Sequence, residues 1–462
     1  MSATCPTPRP ATRRTSRPAT VLAPVLAGCA LAALVAALAL TVTRGGTLGN
    51  SRPLHGWYLA DLGLFALAVA LLRRVPARQV AGLVLAGSAA VAATGLLAPP
   101  RTSDDVYRYV WDGRVQAAGI SPYRYAPDDP PLVRLRDGAL FPPDGSCTAW
   151  NERRTATGSC THINRPGVHT IYPPVAEFWF LGLHVAGGTV RTAQVGGALL
   201  AVATTGALLL IRRQDWRAGL WGWFPGIAIW SVNDAHVDTL GALLLVVALG
   251  LAARRRAVAG GVALGAAIAA KLLPGLALPG AMSGVLARRP RPRDLVLPCS
   301  ALAAFLLAYL PYVLASGTGV IGYLPGYLRE EGYEDGEIAR FGLLRLVLPA
   351  DWAPYAAALV LAVVVLYVLR RGDAARPWSG ALLVTGTALL LVAPAYPWYG
   401  LLVVALVALD GRWEWLAVPA AGQVLYLLGG EAQQPAYTAA LAVVLAGAVV
   451  RRLRVAAVAA PG

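Results

Sequence analysis

Apolar residues in this chain come in long blocks rather than alternating with polar ones. The blocks are 20–43, 56–72 and 79–98, then 173–187, 192–211, 217–231, 238–253, 257–270, 272–287, 295–315, 353–369, 378–394, 398–409, 414–430 and 435–450. A helix that crosses a bilayer needs about 17–25 predominantly apolar residues, so many of these blocks have the length of a span. The pattern predicts an all-α, polytopic integral membrane protein with roughly 11–14 membrane segments. The first block is too long for the apolar core of a signal peptide, and many more follow it. Several blocks fall below 17 residues; as helices they need a locally thinned bilayer or protein neighbours.

The charged residues set the expected topology. Only 14% of the chain is charged and 57% is hydrophobic, whereas soluble domains carry about 25% charge. The net charge of +16 sits in short arginine clusters between apolar blocks. That is the positive-inside pattern beside anionic lipid, and it argues against a nucleic-acid partner. The tail 1–19 holds Arg9, Arg13, Arg14 and Arg17 and is expected in the cytoplasm. Arg73, Arg74 and Arg78 stay on that side, which puts the long polar segment 99–171 outside. Arg254–Arg256 and Arg288, Arg289, Arg291 and Arg293 are also expected inside. The run between them must then cross an even number of times, with a turn near "AAKLLPG" where Pro274 breaks the helix. Lys271, the chain's single lysine, then faces outside. By the same alternation 217–253 is a hairpin whose turn, "SVNDAHVD", lies outside, as do the loop 316–350 and "APAYPWYG" (393–400). The region 173–211 fits poorly, since two full crossings would carry Arg212 and Arg213 outside; one of its segments is expected not to cross. Residues 20–462 thus form one membrane domain, with 99–171 and 316–350 as its large outer loops.

The stretch "SDDVYRYVWDGRVQAAG" (103–119) stands out against these apolar neighbours. Asp104 and Asp105 follow the third block at the expected outer interface. A carboxylate there can serve as a general base or bind a divalent cation; it can equally cap a helix beginning at Val106. Val106, Tyr109, Val110, Gly113 and Ala117 share a face, which predicts a short amphipathic interfacial helix. Cys147 and Cys160 lie in the same outer loop, where oxidising conditions favour a disulfide closing "CTAWNERRTATGSC". No CxxC or HExxH metal spacing and no GxxxxGK[ST] nucleotide loop occurs.

Three stretches, "DDVYRYVWDGRVQAAGISPYRY", "INRPGVHTIYPPVAEFWF" (163–180) and "AIAAKLLPGLALP" (267–279), resemble the polyprenyl-phosphate-sugar-dependent GT-C glycosyltransferases. The likeness is nearest to bacterial glycosyltransferase family 87 and related α-mannosyltransferases. The resemblance implies a GT-C-like helical bundle in the cell membrane whose first large outer loop carries an acidic pair, one acid being the catalytic base. That role falls on Asp105 or Asp104. It further implies an inverting transfer of a sugar, most often mannose, from a lipid-linked donor to a hydroxyl of a glycan or glycolipid.

A donor of this kind brings an anionic phosphate, and cationic side chains can hold it without a bound nucleotide. Lys271, an ionisable group in an apolar stretch, is the first candidate. Arg108, Arg165 and His169 are further candidates, although Arg108 and Arg114 serve equally well as interfacial charges. Tyr172 with Pro173 and Pro174 sets the entry to the next helix. Glu177, Tyr172, Asp234, His236 and Trp398 are candidate acceptor or sugar contacts, with Tyr396 and Tyr399 beside Trp398 as further stacking rings. No cofactor is required on this reading, and no metal site is assigned. A transporter or flippase of a lipid-linked saccharide is the alternative; such proteins place charge near the midplane.

Overall fold

The computed structural model describes residues 19–143, 147–213, 215–330 and 340–459. The cytoplasmic tail expected at 1–19 lies outside the described residues up to position 18, as does the middle of the loop 316–350. The described chain is almost entirely helical, with one small hairpin of β1 (Arg153–Arg154) and β2 (Cys160–Thr161). Among the described residues, seven helices are long and apolar enough to cross a membrane, or eight if a bent pair is counted as one span. The molecule is an all-α, multi-pass membrane protein.

The chain begins with α1 (Ala19–Arg44), α2 (Arg52–Leu72) and α3 (Ala77–Gly95). Then comes the polar segment, which contains α4 (Asp105–Ala117). Next are α5 (Pro174–Val185) and α6 (Val190–Ile211). With 12 residues, α5 reaches only about 18 Å, well short of a 30 Å hydrocarbon core. This accounts for the poor fit of 173–211: α6 has the length to span and α5 does not. Instead α5 packs along α4.

The block 217–231 is not the straight span its composition predicts. It breaks at Trp223 and Phe224, just before Pro225, and continues into a π-helical turn, Ile227–Asn233. That turn meets α7 (Asp238–Ala253) at a bend of 109°. The block 272–287 likewise becomes a series of short turns, because Pro274, Gly275, Pro279, Gly280 and Gly284 interrupt it. The remaining helices are α8 (Ala257–Ala270), α9 (Val296–Ser316), α10 (Ala353–Arg371), α11 (Pro377–Val392), α12 (Leu401–Asp410), α13 (Ala417–Leu428) and α14 (Gln433–Ala459). Every residue of α12 is buried, so it forms the centre of the bundle.

Without a hydrophobic drive inside lipid, helices associate through close backbone packing, and small residues permit it. Gly261 and Gly265, one turn apart on α8, show this against α9. A Cβ on Gly265 would lie 2.2 Å from the Ala301 carbonyl oxygen, and one on Gly261 2.4 Å from that of Leu297. Lys271 follows the last turn of α8, so this contact also fixes where the lysine stands. Gly265→Ala is expected to destabilise the fold by about 1–3 kcal/mol through overpacking. Gly206→Ala in α6, where a Cβ meets nothing within 4 Å, is expected to be neutral or slightly stabilising. Thermal unfolding of the detergent-solubilised protein checks the pair; equal melting temperatures would contradict the close α8–α9 packing.

Candidate functional site

The segment before α4 is held by a carboxylate from the bend. Asp234 is fully buried. Its Oδ1 accepts the backbone N–H groups of Arg101, Thr102 and Ser103 at 3.2, 3.1 and 3.2 Å. Its Oδ2 accepts the Thr102 hydroxyl at 2.5 Å. From the other side, the Tyr426 hydroxyl of α13 donates to the Thr102 carbonyl at 2.5 Å. Asn233 ties the preceding turn, donating to the carbonyls of Gly95, Ala98 and Pro99. Asp104 and Asp105 therefore emerge from a rigid support.

Helix α4 is not the interfacial amphipathic helix its periodicity suggests. Val106, Tyr109 and Val110 are buried as expected, but so are Tyr107, Arg108, Trp111 and Asp112 on other faces, and Ala117 is exposed. The helix is a core element wrapped by its own loop and by α5, and a Cβ on Gly113 would lie 2.3 Å from the Phe180 carbonyl oxygen. It also starts at Asp105, one residue before the expected Val106. Asp104 occupies the cap position without capping through its side chain; the Ser103 hydroxyl accepts the Asp105 N–H at 3.3 Å instead.

The two acids have different partners. Asp104 forms an ion pair with Arg153 and accepts from the Asn164 amide at 3.1 Å. Burial pushes its carboxyl above the usual range; Arg153 opposes that shift and the charge of Asp105 adds to it. Asp105 accepts from the same Asn164 amide at 2.5 Å. Its Oδ2 stands 3.6 Å from His236 Nδ1, and among the described residues it has no ion pair with an arginine or lysine. A divalent cation between the two acids would have to displace Asn164.

Both acids line a cavity of about 810 Å³. The structure brings most of the expected residues to its wall: Lys271, Arg108, Arg165, His169, Tyr172 and Trp398. Lys271 Nζ lies 3.2 Å from Asp238 Oδ2 and over the rings of Tyr172 and Tyr399, at 5.6 and 5.0 Å from their centroids. Arg108 is buried and braced by Asp112, with Nε 3.0 and 3.1 Å from its two oxygens. Arg165 Nε pairs with Glu330 at 2.6 Å. His169 is exposed at the rim. The wall also carries apolar residues, Leu272, Leu276, Leu361 of α10, and Leu389 and Val392 of α11.

Three expected contacts do not reach this wall. Glu177 is buried behind it, accepting the Thr170 hydroxyl at 2.7 Å and the Gln116 amide at 2.8 Å; its carboxyl is consumed in tying α4 to α5. Asp234 is occupied by the backbone it holds. His236 is buried with both ring nitrogens lacking a hydrogen-bond partner among the described residues. Its ring stacks on Trp398, centroids 3.8 Å apart, behind the cavity surface. The disulfide Cys147–Cys160 is formed, with the Cα atoms 5.7 Å apart. Glu152 lies near its two sulfurs, but a disulfide offers no thiolate to a metal.

Sequence reasoning missed Asn164, Arg153, Trp150, Tyr327, Arg340 and Tyr426, all on the wall. Arg153 lies inside the quoted cysteine loop and Asn164 inside "INRPG", yet nothing local marks either as a partner of the acidic pair. No family model, no curated protein and no solved structure matches the chain.

Because Asp234 binds the segment before α4 through four hydrogen bonds, Asp234→Ala is expected to cost about 3 kcal/mol or more, hydrogen bonds to a charged group being worth about 1.5–3 kcal/mol each. Asp234→Asn is expected to keep most of that stability. Its Oδ1 still accepts the three N–H groups, and its amide can donate to the Thr102 oxygen. Thermal unfolding of both variants checks this; an alanine variant as stable as wild type would show that the anchor is dispensable.

Proposed function

We propose that this chain is a membrane glycosyltransferase that moves a sugar from a polyprenyl-phosphate donor to a hydroxyl of a glycan or glycolipid acceptor. The carrying observation is the cavity itself. A carboxylate that among the described residues pairs with no arginine or lysine, a lysine and a run of aromatic rings line the same cavity as a set of leucines. A substrate that joins a phosphate, a sugar and a long apolar chain needs those surfaces together. The resemblance to the GT-C family points to mannose as the sugar, and the arginine clusters point to a cytoplasmic N-terminus and a reaction on the outer side of the cell membrane.

The chemistry follows from the groups present. Asp105 takes the proton of the acceptor hydroxyl as its oxygen attacks the anomeric carbon from the face opposite the phosphate. The bond from that carbon to the phosphate oxygen breaks, its electron pair leaves with the phosphate, and the configuration inverts. Lys271 and Arg165 stabilise the charge gathering on the departing phosphate, which is worth most where water is excluded. Asp104, already paired with Arg153, acts with Asn164 to orient Asp105. His236 backs Asp105 from behind Trp398. No cofactor enters these steps.

Transfer of radiolabelled mannose from polyprenyl phosphate by the reconstituted full chain is the test. Asp105→Asn is expected to lower kcat by about 10²–10⁴, the range of general-base contributions, and Asp104→Asn by about tenfold. Wild-type rates in the Asp105 variant would sink the assignment. Lipid translocation without any transfer would favour the flippase. Lys271→Ala strands the buried Asp238 carboxylate, so it is paired with Asp238→Asn; the double variant is expected to raise the donor KM about tenfold or more. An unchanged donor KM would remove Lys271 from the phosphate site.

A further inference from the structure

We propose that Trp150, carried in the loop closed by the Cys147–Cys160 disulfide, is the stacking platform of a saccharide acceptor subsite. The proposal rests on the glycosyl-transfer reading above and places its second substrate.

The cavity wall carries two unlike kinds of surface. The part built by Leu272, Leu276, Leu361 and Leu389 offers only hydrocarbon. A second part of the wall comes from loops and presents Leu48, Trp150, Arg153 and Asn164, of which Arg153 and Asn164 touch the acidic pair. A lipid chain fits the first. A hydrophilic saccharide, which must bring a hydroxyl to Asp105, fits the second.

Trp150 is half-buried, and its backbone is fixed from several directions. A Cβ on Gly49 would lie 2.6 Å from Trp150 Cβ, so glycine at 49 lets the α1–α2 loop pack flush against it. The next residue, Asn151, donates its amide to the Tyr107 hydroxyl at 3.1 Å. The Asn151 carbonyl lies 3.2 Å from His162 Nδ1, and the His162 ring stacks on Tyr107, centroids 4.9 Å apart. Three residues beyond Trp150, Arg153 pairs with Asp104 and, through the β1–β2 ladder, with Thr161. The disulfide closes the ring.

Several other rings of the wall are already committed. Trp398 is sandwiched by His236 and Tyr396, and the hydroxyls of Tyr327 and Tyr399 bond each other. Among the described residues Trp150 stacks on no other ring. Its indole is therefore a flat, apolar surface with one polar edge on the cavity wall, carried on a firmly held backbone. Such a surface suits the C–H face of a pyranose.

The test uses detergent-solubilised full chain and saturation-transfer NMR titrations with α-linked mannotriose, alongside titrations with polyprenyl phosphate. Trp150→Ala is expected to raise the mannotriose Kd about tenfold and the polyprenyl phosphate Kd less than about twofold, with Trp150→Phe in between for mannotriose. Opening the ring with Cys147→Ser and Cys160→Ser is expected to weaken mannotriose in the same direction. Unchanged mannotriose binding in Trp150→Ala overturns the subsite, as does a wild type that binds no mannotriose. A wild type that binds mannotriose through Trp150 yet transfers no sugar keeps the subsite and removes the transferase reading. Transfer with the same acceptor KM in wild type and Trp150→Ala does the reverse.

Discussion

The grip of Asp234 on residues 101–103 is the constraint on which the rest of the site depends. Three backbone N–H groups converge on one oxygen and a hydroxyl on the other. A buried carboxylate is tolerated only where hydrogen bonds replace its water, and here they do. The acid comes from the bend that carries the chain into α7, and the segment it holds lies more than a hundred residues earlier. It therefore welds the long polar segment onto the helical bundle. Asp104 and Asp105 follow immediately, so their positions are inherited from this contact rather than from a flexible loop.

From that weld the site divides its charges. Arg153 takes up Asp104, Asp112 takes up Arg108, and Asp238 engages Lys271. Among the described residues Asp105 has an amide and a neighbouring imidazole beside it, and no arginine or lysine. The support is also rigid at close range: the glycine contacts between α8 and α9 fix the helix that ends at Lys271, and Gly113 seats α4 on α5. Catalytic groups held within tenths of an ångström need such supports, because small displacements of a base or a cation cost large factors in rate. The cavity wall combines leucines with loop-borne polar groups, the two kinds of surface that the two substrates of the proposed reaction would need.

Much of the architecture could be read in the sequence, because apolar block length is a direct imprint of helix length. The blocks 238–253 and 257–270 coincide with α7 and α8. Composition could not tell a straight helix from a broken one, so 217–231 and 272–287, rich in glycine and proline, were expected as regular segments and are not. Periodicity placed Val106, Tyr109 and Val110 inward but could not show that α4 is covered on its other faces too. The acidic pair, Lys271 and the cysteine loop were visible as local anomalies. Asn164 and Tyr426 were not, since they join the site from 59 and 324 residues away and carry no signature of their own. Glu177 and Asp234 were conspicuous for the opposite reason: buried polar groups look functional in a sequence, and here these two hold the scaffold.

The account turns on one claim, that lipid-linked phosphate and acceptor meet between Lys271 and Asp105. The most direct measurement is a cryo-electron microscopy structure of the full chain in lipid nanodiscs with a phosphonate analogue of polyprenyl phosphomannose, whose anomeric linkage cannot break. The account predicts the phosphonate beside Lys271, the anomeric carbon facing Asp105 and the prenyl chain along Leu361 and Leu389. Density for the analogue on another face of the bundle, or a headgroup remote from Lys271 with the chain elsewhere, would contradict it.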